Sequence, residues 1–112
     1  MPLIKSLVEK AGMEAFVFEI GGEPTDIFQR DYNNLATSDL IIAEVSERSH
    51  GVGIEIGMSY CLGLKRILLL QTDEYVTKLA QGMPDTTIIS YTDEQELIEK
   101  LGPILRALER KQ

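Results

Sequence analysis

Residues 38–63, SDLIIAEVSERSHGVGIEIGMSYCLG, decide the fold of this 112-residue chain. The segment 40–45 is almost entirely apolar, which indicates a strand buried on both faces, as in a parallel sheet. A loop containing Gly51 and Gly53 follows, and residues 54–64 are predicted to form a helix. A buried strand that turns through glycines into a helix is the building unit of open α/β sheets.

The same alternation of strands and helices continues on both sides of this segment. The other predicted strands are 15–20, 66–70 and 87–91, and the other predicted helices are 2–11, 26–36, 74–81 and 92–110. Strands that alternate with helices favour a parallel sheet with right-handed crossovers. We therefore predict a single α/β domain over residues 1–112, with a flavodoxin-like parallel sheet of four strands flanked by helices.

Composition excludes several classes of function. Eleven Lys and Arg against 18 Asp and Glu give a net charge of −7. Such an acidic surface repels polyanions, so we expect neither nucleic acid nor a membrane as partner. One cysteine, Cys61, allows no internal disulfide and fits a reducing compartment, and one histidine leaves a Cys/His zinc site short of ligands. No apolar run approaches the ~20 residues of a membrane span. We predict a cytoplasmic protein with no metal or organic cofactor.

The loop that follows the predicted strand 40–45 is the candidate binding region. In open α/β sheets, ligands bind beyond the carboxyl ends of the strands, and a helix that starts there offers free backbone N–H groups to an anion. Gly51 and Gly53 allow the backbone to approach a ligand closely. Ser49 is suited either to contact a ligand oxygen or to cap the helix. Both interpretations stay open at this stage.

Three acids in the segment require an explanation. Glu55 is predicted in the first turn of the helix, where it either complements the helix dipole or, among apolar neighbours, serves a function. Asp39 precedes the strand, as a turn residue or as a site acid. Glu44 lies inside an apolar strand, so its carboxylate needs a partner or faces the cleft at the strand end.

At this point the sequence resembles the nucleoside 2-deoxyribosyltransferase superfamily, nearest the branch of 2′-deoxynucleoside 5′-monophosphate N-glycosidases. The family pattern is an Asp before a strand that ends in Ala-Glu-Val, followed by Ser-x-Gly-x-Gly-x-Glu-x-Gly. Here the pattern runs from Asp39 to Gly57. A weaker match follows at residues 77–82, and the resemblance extends over roughly residues 3–108.

The resemblance implies a role for each matched residue. Glu55 would attack C1′ of the deoxyribose, the base would leave, and water or a second base would resolve the glycosyl ester with retention. The helix N-terminus would keep Glu55 ionised. Asp39 would orient Glu55 or handle a proton. Ser49, Gly51 and Gly53 would approach the 5′ end of a nucleotide or nucleoside.

The resemblance also bears on the substrate and the assembly. A hydroxyl at Ser49 can donate to a phosphate, whereas the Asp found in relatives that act on free nucleosides would repel it. The substrate implied is therefore a 2′-deoxynucleoside 5′-monophosphate. In that branch a neighbouring subunit completes the phosphate site, here through Thr77 in segment 77–82. A homodimer or larger homo-oligomer is implied.

One departure from the family motivates two alternatives. Relatives begin with a strand and a Tyr-x-x-Gly-Ser-x-Arg-type loop, which these 112 residues do not match, so we expect a sheet without the family's first strand. A catalytically impaired nucleotide-binding or scaffold protein of the same fold is the first alternative. A receiver-like signalling domain, with Glu44 at the phosphoacceptor position, is disfavoured because the acidic pair expected after a first strand is absent.

Overall fold

The computed structural model describes residues 2–17 and 22–110 of the chain. Helices and strands alternate along these ranges: α1 (Pro2–Lys10), α2 (Pro24–Ala36), β1 (Leu40–Glu44), α3 (His50–Cys61), β2 (Lys65–Gln71), α4 (Lys78–Gln81), β3 (Thr86–Tyr91) and α5 (Glu94–Arg110). No helix in these ranges is both long and apolar enough to cross a membrane.

The three strands form one parallel sheet in the order β1-β2-β3. Ile42 lies opposite Ile67, and Leu69 lies opposite Ile89, so the apolar residues of the strands are aligned across the sheet. Each parallel pair is connected by a helix, α3 between β1 and β2 and α4 between β2 and β3. The prediction of a parallel α/β sheet flanked by helices is confirmed.

Both faces of the central strand β2 are covered. Ile67 and Leu69 belong to a core that includes α1 and the α5 side chains Leu97, Leu101 and Leu105. Leu68 and Leu70 belong to a second core with Ile56 of α3 and Ala80 of α4. Burial on both faces explains why the middle of β2, residues 67–70, is continuously apolar rather than alternating. It also fixes α3 against the sheet, which determines where the side chains of that helix lie.

The predicted strand at 15–20 is not seen in the described residues, which contain three strands instead of four. Residues 13–17 carry no strand pairing, and 18–20 lie outside the described residues. In a flavodoxin-like sheet of order 2-1-3-4-5, the second strand pairs only with the first. No described segment occupies the first-strand position beside β1, so residues 15–17 have no strand to pair with, although Met13 and Ala15 still pack against the core.

Two helices begin directly after a capping residue, and not at the position that apolar periodicity predicts. α3 begins at His50 rather than at residue 54, because the Ser49 hydroxyl accepts a hydrogen bond from the Val52 N–H at 3.3 Å. α4 is limited to Lys78–Gln81, within the predicted 74–81, because Thr77 caps it through the Leu79 N–H. The capping role proposed for Ser49 is confirmed.

Candidate functional site

The candidate site lies where α2 and α3 pack against each other. α2 delivers the chain to the start of β1, and α3 leaves from the loop after its end, so both helices run back along the sheet from its carboxyl edge. Asp31 of α2 is only 8% exposed. Glu55 of α3 is half-buried, and its carboxyl group is close enough to that of Asp31 for the two to interact. Two carboxyl groups from different helices thus lie next to each other where α2 and α3 pack together.

The environment of Glu55 favours its protonated form. Burial, the hydrogen bond with Asp31 and the negative charge of Asp31, in that order, raise the pKa of Glu55 from 4.5 to about 7. Near neutral pH Glu55 is therefore present in both its protonated and its ionised form.

The expectation that the helix N-terminus keeps Glu55 ionised is wrong. Since α3 begins at His50, Glu55 is the sixth residue and lies in the second turn, where the effect of the helix dipole has largely fallen off. The pKa moves upward because burial and Asp31 dominate. The alternative interpretation of Glu55 as an acid that merely complements the dipole loses its basis for the same reason.

The acid beside Glu55 is Asp31, whereas the sequence analysis assigned this position to Asp39. Asp39 is exposed and directly precedes β1, at the amino edge of the sheet, where its carbonyl accepts from the Lys65 N–H at 3.3 Å. Asp31 also contacts Arg30, whose Nε lies 3.3 Å from Oδ1. A signal for Asp31 was present in the sequence, since it lies four residues before the buried Leu35 and so shares its helix face.

The start of α3 presents the other predicted residues of the site. Ser49, Gly51 and Gly53 are all exposed there. A Cβ built at Gly53 would meet nothing within 4 Å, and one at Gly51 would meet only the Ser49 hydroxyl, at 3.9 Å. The space beside this helix start is therefore open to a ligand. Thr77, exposed at the start of α4, does not line the cavity beside Ser49.

An open cavity of about 330 Å³ lies at the carboxyl edge of the sheet. Its lining residues are Glu44, Ser46, Glu47, Arg48, Ser49, Val52, Gln71 and Tyr91. Glu44 both faces this cavity and has partners, because it accepts hydrogen bonds from the Ser46 N–H at 2.7 Å and from the Tyr91 hydroxyl. Within residues 2–17 and 22–110, no group of three or more His, Cys, Asp or Glu side chains is placed to hold a metal ion.

Comparison with known proteins gives relatives but no match to a protein-family model. The chain is 35% identical over 91 residues to 2′-deoxynucleoside 5′-phosphate N-hydrolase 1 of Thermofilum pendens, covering 78% of this chain and 64% of the relative. It is 32% identical over 117 aligned positions to the protein of the same name from Methanosarcina mazei, covering 94% and 73%. It is 33% identical over 92 residues to the 5-hydroxymethyl-dUMP N-hydrolase of Rattus norvegicus, covering 80% and 56%.

The fold has a solved counterpart. The structure of the CMP N-glycosidase of Clostridium botulinum superimposes with a TM-score of 0.74 at 29% identity, covering 88% of this chain and 85% of that one. The chain spans between 56% and 73% of the length of the three relatives described above.

Proposed function

The chain belongs to the 2′-deoxynucleoside 5′-phosphate N-hydrolase family, in the nucleoside 2-deoxyribosyltransferase-like superfamily, and on that premise we propose that it cleaves the N-glycosidic bond of 2′-deoxynucleoside 5′-monophosphates. The names of the relatives favour water over a second base as the acceptor. The structural observation that supports this proposal most strongly is the interaction between the carboxyl groups of Glu55 and Asp31 where α2 and α3 pack together.

In the first step, the ionised Glu55 carboxylate attacks C1′ of the deoxyribose. A C1′–O bond forms as the C1′–N bond breaks, and the electron pair of the broken bond leaves with the base. The proton that the raised pKa of Glu55 keeps beside Asp31 goes to the departing base, which leaves as a neutral molecule. The result is a glycosyl ester on Glu55, a free base and an ionised Asp31.

In the second step, a water molecule replaces the enzyme at C1′. The Asp31 carboxylate accepts a proton from the water as its oxygen bonds to C1′, and the ester electron pair returns to Glu55. Deoxyribose 5-phosphate leaves, and the pair regains its proton. Two displacements at the same carbon give net retention of configuration.

Local donors at the start of α3 support the assignment of a phosphate-bearing substrate. The net charge of −7 provides no attractive field for a phosphate, so the anion must be held by nearby hydrogen-bond donors. The Ser49 hydroxyl accepts from the Val52 N–H and therefore keeps its own hydrogen for a ligand oxygen. Free backbone N–H groups of the first turn, next to Gly51, add donors of the same kind.

We assign Thr77 to the phosphate site of a second subunit in a homodimer. The side chains on either side of Thr77 support this assignment, because Tyr75 is 89% exposed and Leu79 is 78% exposed. Exposed apolar side chains of this kind are typical of a surface that becomes covered. The lone, exposed Cys61 is consistent with a reducing compartment, and we assign the protein to the cytoplasm.

The direct test is incubation of the protein with each of the common deoxynucleoside monophosphates, followed by chromatography for free base. We expect base release from at least one of them and a loss of at least about 10³-fold in Glu55→Gln. Glu99→Gln, which removes an exposed carboxylate from α5, is the matched control. Nucleotide binding without base release would support the alternative of a non-catalytic binding protein, and release unchanged in Glu55→Gln would refute the role of Glu55.

A further inference from the structure

Glu44 joins the ends of two strands to a loop. It is the last residue of β1, and its Oε1 accepts from the Ser46 N–H at 2.7 Å. Its Oε2 accepts from the hydroxyl of Tyr91, the last residue of β3, which is only 4% exposed. Both carboxylate oxygens are therefore engaged by donors, and neither donor belongs to β1.

The loop after β1 is fastened a second time at the same residue. The Ser46 hydroxyl accepts from the N–H of Gln71, the last residue of β2, at 2.8 Å. Ser46 is thus held through its backbone N–H to the end of β1 and through its side chain to the end of β2, and Glu44 connects it to the end of β3. Glu47 and Arg48 alone separate it from Ser49, whose position is set by its capping bond to α3.

We propose that Glu44 and Tyr91 are positioning residues that hold the loop 46–49 so that Ser49 faces the 5′-phosphate of the substrate. The inference rests on the proposed function, because it takes Ser49 as a phosphate contact. The cavity of about 330 Å³ gives the geometric reason, because Glu44 and Tyr91 line it together with Ser49. A side chain in this arrangement acts on the substrate through the loop and does not need to touch it.

The direction in which phosphate binding changes when Glu44 is replaced distinguishes a positioning role from simple charge repulsion. A carboxylate in a cavity that binds phosphate repels the ligand, so deleting Glu44 strengthens phosphate binding if its charge is all that matters. If positioning matters, deletion weakens binding, because the Ser46 N–H and the Tyr91 hydroxyl lose their acceptor. Glu44→Leu removes charge and acceptors together. Glu44→Gln removes the charge but keeps an acceptor for Ser46 and offers Tyr91 a donor.

The experiment compares calorimetric dissociation constants for a deoxynucleoside 5′-monophosphate and for the matching deoxynucleoside, in a Glu55→Gln background that prevents turnover. We expect Glu44→Leu and Tyr91→Phe each to weaken monophosphate binding by about 5- to 20-fold and nucleoside binding by less than about 2-fold. The double variant should bind the monophosphate no more weakly than whichever single variant binds it less tightly, because the two side chains act as one unit. Glu44→Gln should restore monophosphate binding to within about 3-fold.

Thr92→Val is the matched control. It removes a hydroxyl that hydrogen-bonds Thr72 at 3.0 Å at the same edge of the sheet, but Thr92 does not line the cavity. Thermal melting of each variant reports folding separately, and Tyr91→Phe and Glu44→Gln are small enough changes to test the proposal if Glu44→Leu does not fold.

Several results overturn the proposal: tighter monophosphate binding by Glu44→Leu, equal losses for monophosphate and nucleoside, or no binding of monophosphate at millimolar concentration. Failure of the proposed function gives a different pattern. If the unaltered protein binds monophosphates without releasing base, and the variants still lose phosphate-dependent affinity, the positioning role stands while the hydrolase assignment fails. If the unaltered protein releases base but the variants bind monophosphate with unchanged affinity, the hydrolase assignment stands and the positioning role fails.

Discussion

The carboxyl groups of Asp31 on α2 and Glu55 on α3 interact where these two helices pack together, and burial and the charge of Asp31 raise the pKa of Glu55 to about 7. A carboxyl group that is half-buried beside a second acid is costly to ionise, so this arrangement lowers the stability of the fold at pH values where both groups are charged.

The first prediction concerns stability against pH. The folded pKa of Glu55, about 7, lies above its ordinary value of 4.5, so the folded state holds a proton that the unfolded state loses between these values. Stability therefore decreases as pH rises from about 4.5 to 7, and the penalty is complete above 7. Because Glu55 is only half-buried, we expect Glu55→Gln to raise the free energy of unfolding at pH 8 by about 1–2 kcal/mol.

Urea unfolding at two pH values measures this effect. The gain should vanish well below pH 4.5, where Glu55 is protonated in both states, and Glu99→Gln should show neither the gain nor its pH dependence. Equal stability of Glu55→Gln and the unaltered protein at pH 8 would contradict the assigned burial of this acid.

The second prediction distinguishes the two aspartates. Asp31→Asn removes the group that we assign to proton transfer, so kcat should fall by about 10²- to 10⁴-fold. It also removes the negative charge beside Glu55, so the acid limb of the pH profile of kcat/KM should shift to lower pH. Asp39→Asn should change kcat by less than about 2-fold, because Asp39 lies exposed at the amino edge of the sheet. A larger loss from Asp39→Asn than from Asp31→Asn would reverse the assignment.

The third prediction concerns a buried cation. Arg66 is 2% exposed and donates to the Ser59 hydroxyl, the Thr86 hydroxyl, and the carbonyls of Leu64 and Pro84. It thereby ties the end of α3 to the starts of β2 and β3. Arg66→Met leaves the buried acceptors at Ser59 and Leu64 without this donor and should cost about 3–5 kcal/mol in urea unfolding.

The exposed Arg106 provides the comparison for this measurement, and Arg106→Met should cost less than about 0.5 kcal/mol. Similar losses from both substitutions would show that the hydrogen bonds of Arg66 contribute little.

The fourth prediction tests the shared site. If Thr77 serves the partner's phosphate site, a dimer of one Glu55→Gln chain and one Thr77→Val chain contains one intact site. An equal mixture of the two variants, exchanged to equilibrium, should then recover about a quarter of the unaltered activity, since about half of the dimers are mixed. Activity no higher than the mean of the separate variants would show that Thr77 acts within its own chain or not at all.

Much of the fold follows from local pattern. The apolar runs of β1 and β2 predict strands buried on both faces. The structure covers both faces of β2 with helices, whereas in β1 buried residues alternate with half-buried ones. Helix boundaries are predicted less accurately from apolar periodicity. The Ser49 hydroxyl caps α3 so that the helix begins at His50, four residues before the start that the periodicity predicts. The predicted strand at 15–20 shows the limit of local pattern: a strand requires a neighbour, and residues 15–17 have none in the described sheet.

The candidate site divides in the same way. Glu55 follows from the motif, and the need of Glu44 for a partner follows from its apolar strand, but the identity of that partner does not. Tyr91 lies 47 residues away from Glu44, and Asp31 lies 24 residues before Glu55, in a helix outside the decisive segment. Contacts of this kind depend on how the helices and strands pack, which the periodicity of one sequence does not specify.

The most direct test of the central claim is mass spectrometry of the protein quenched with acid during turnover of a deoxynucleoside monophosphate. We predict a peptide containing Glu55 whose mass is increased by one esterified deoxyribose 5-phosphate, and no such adduct in Glu55→Gln. Release of free base with no adduct at Glu55, and at the same rate in Glu55→Gln, would contradict the covalent role of this acid.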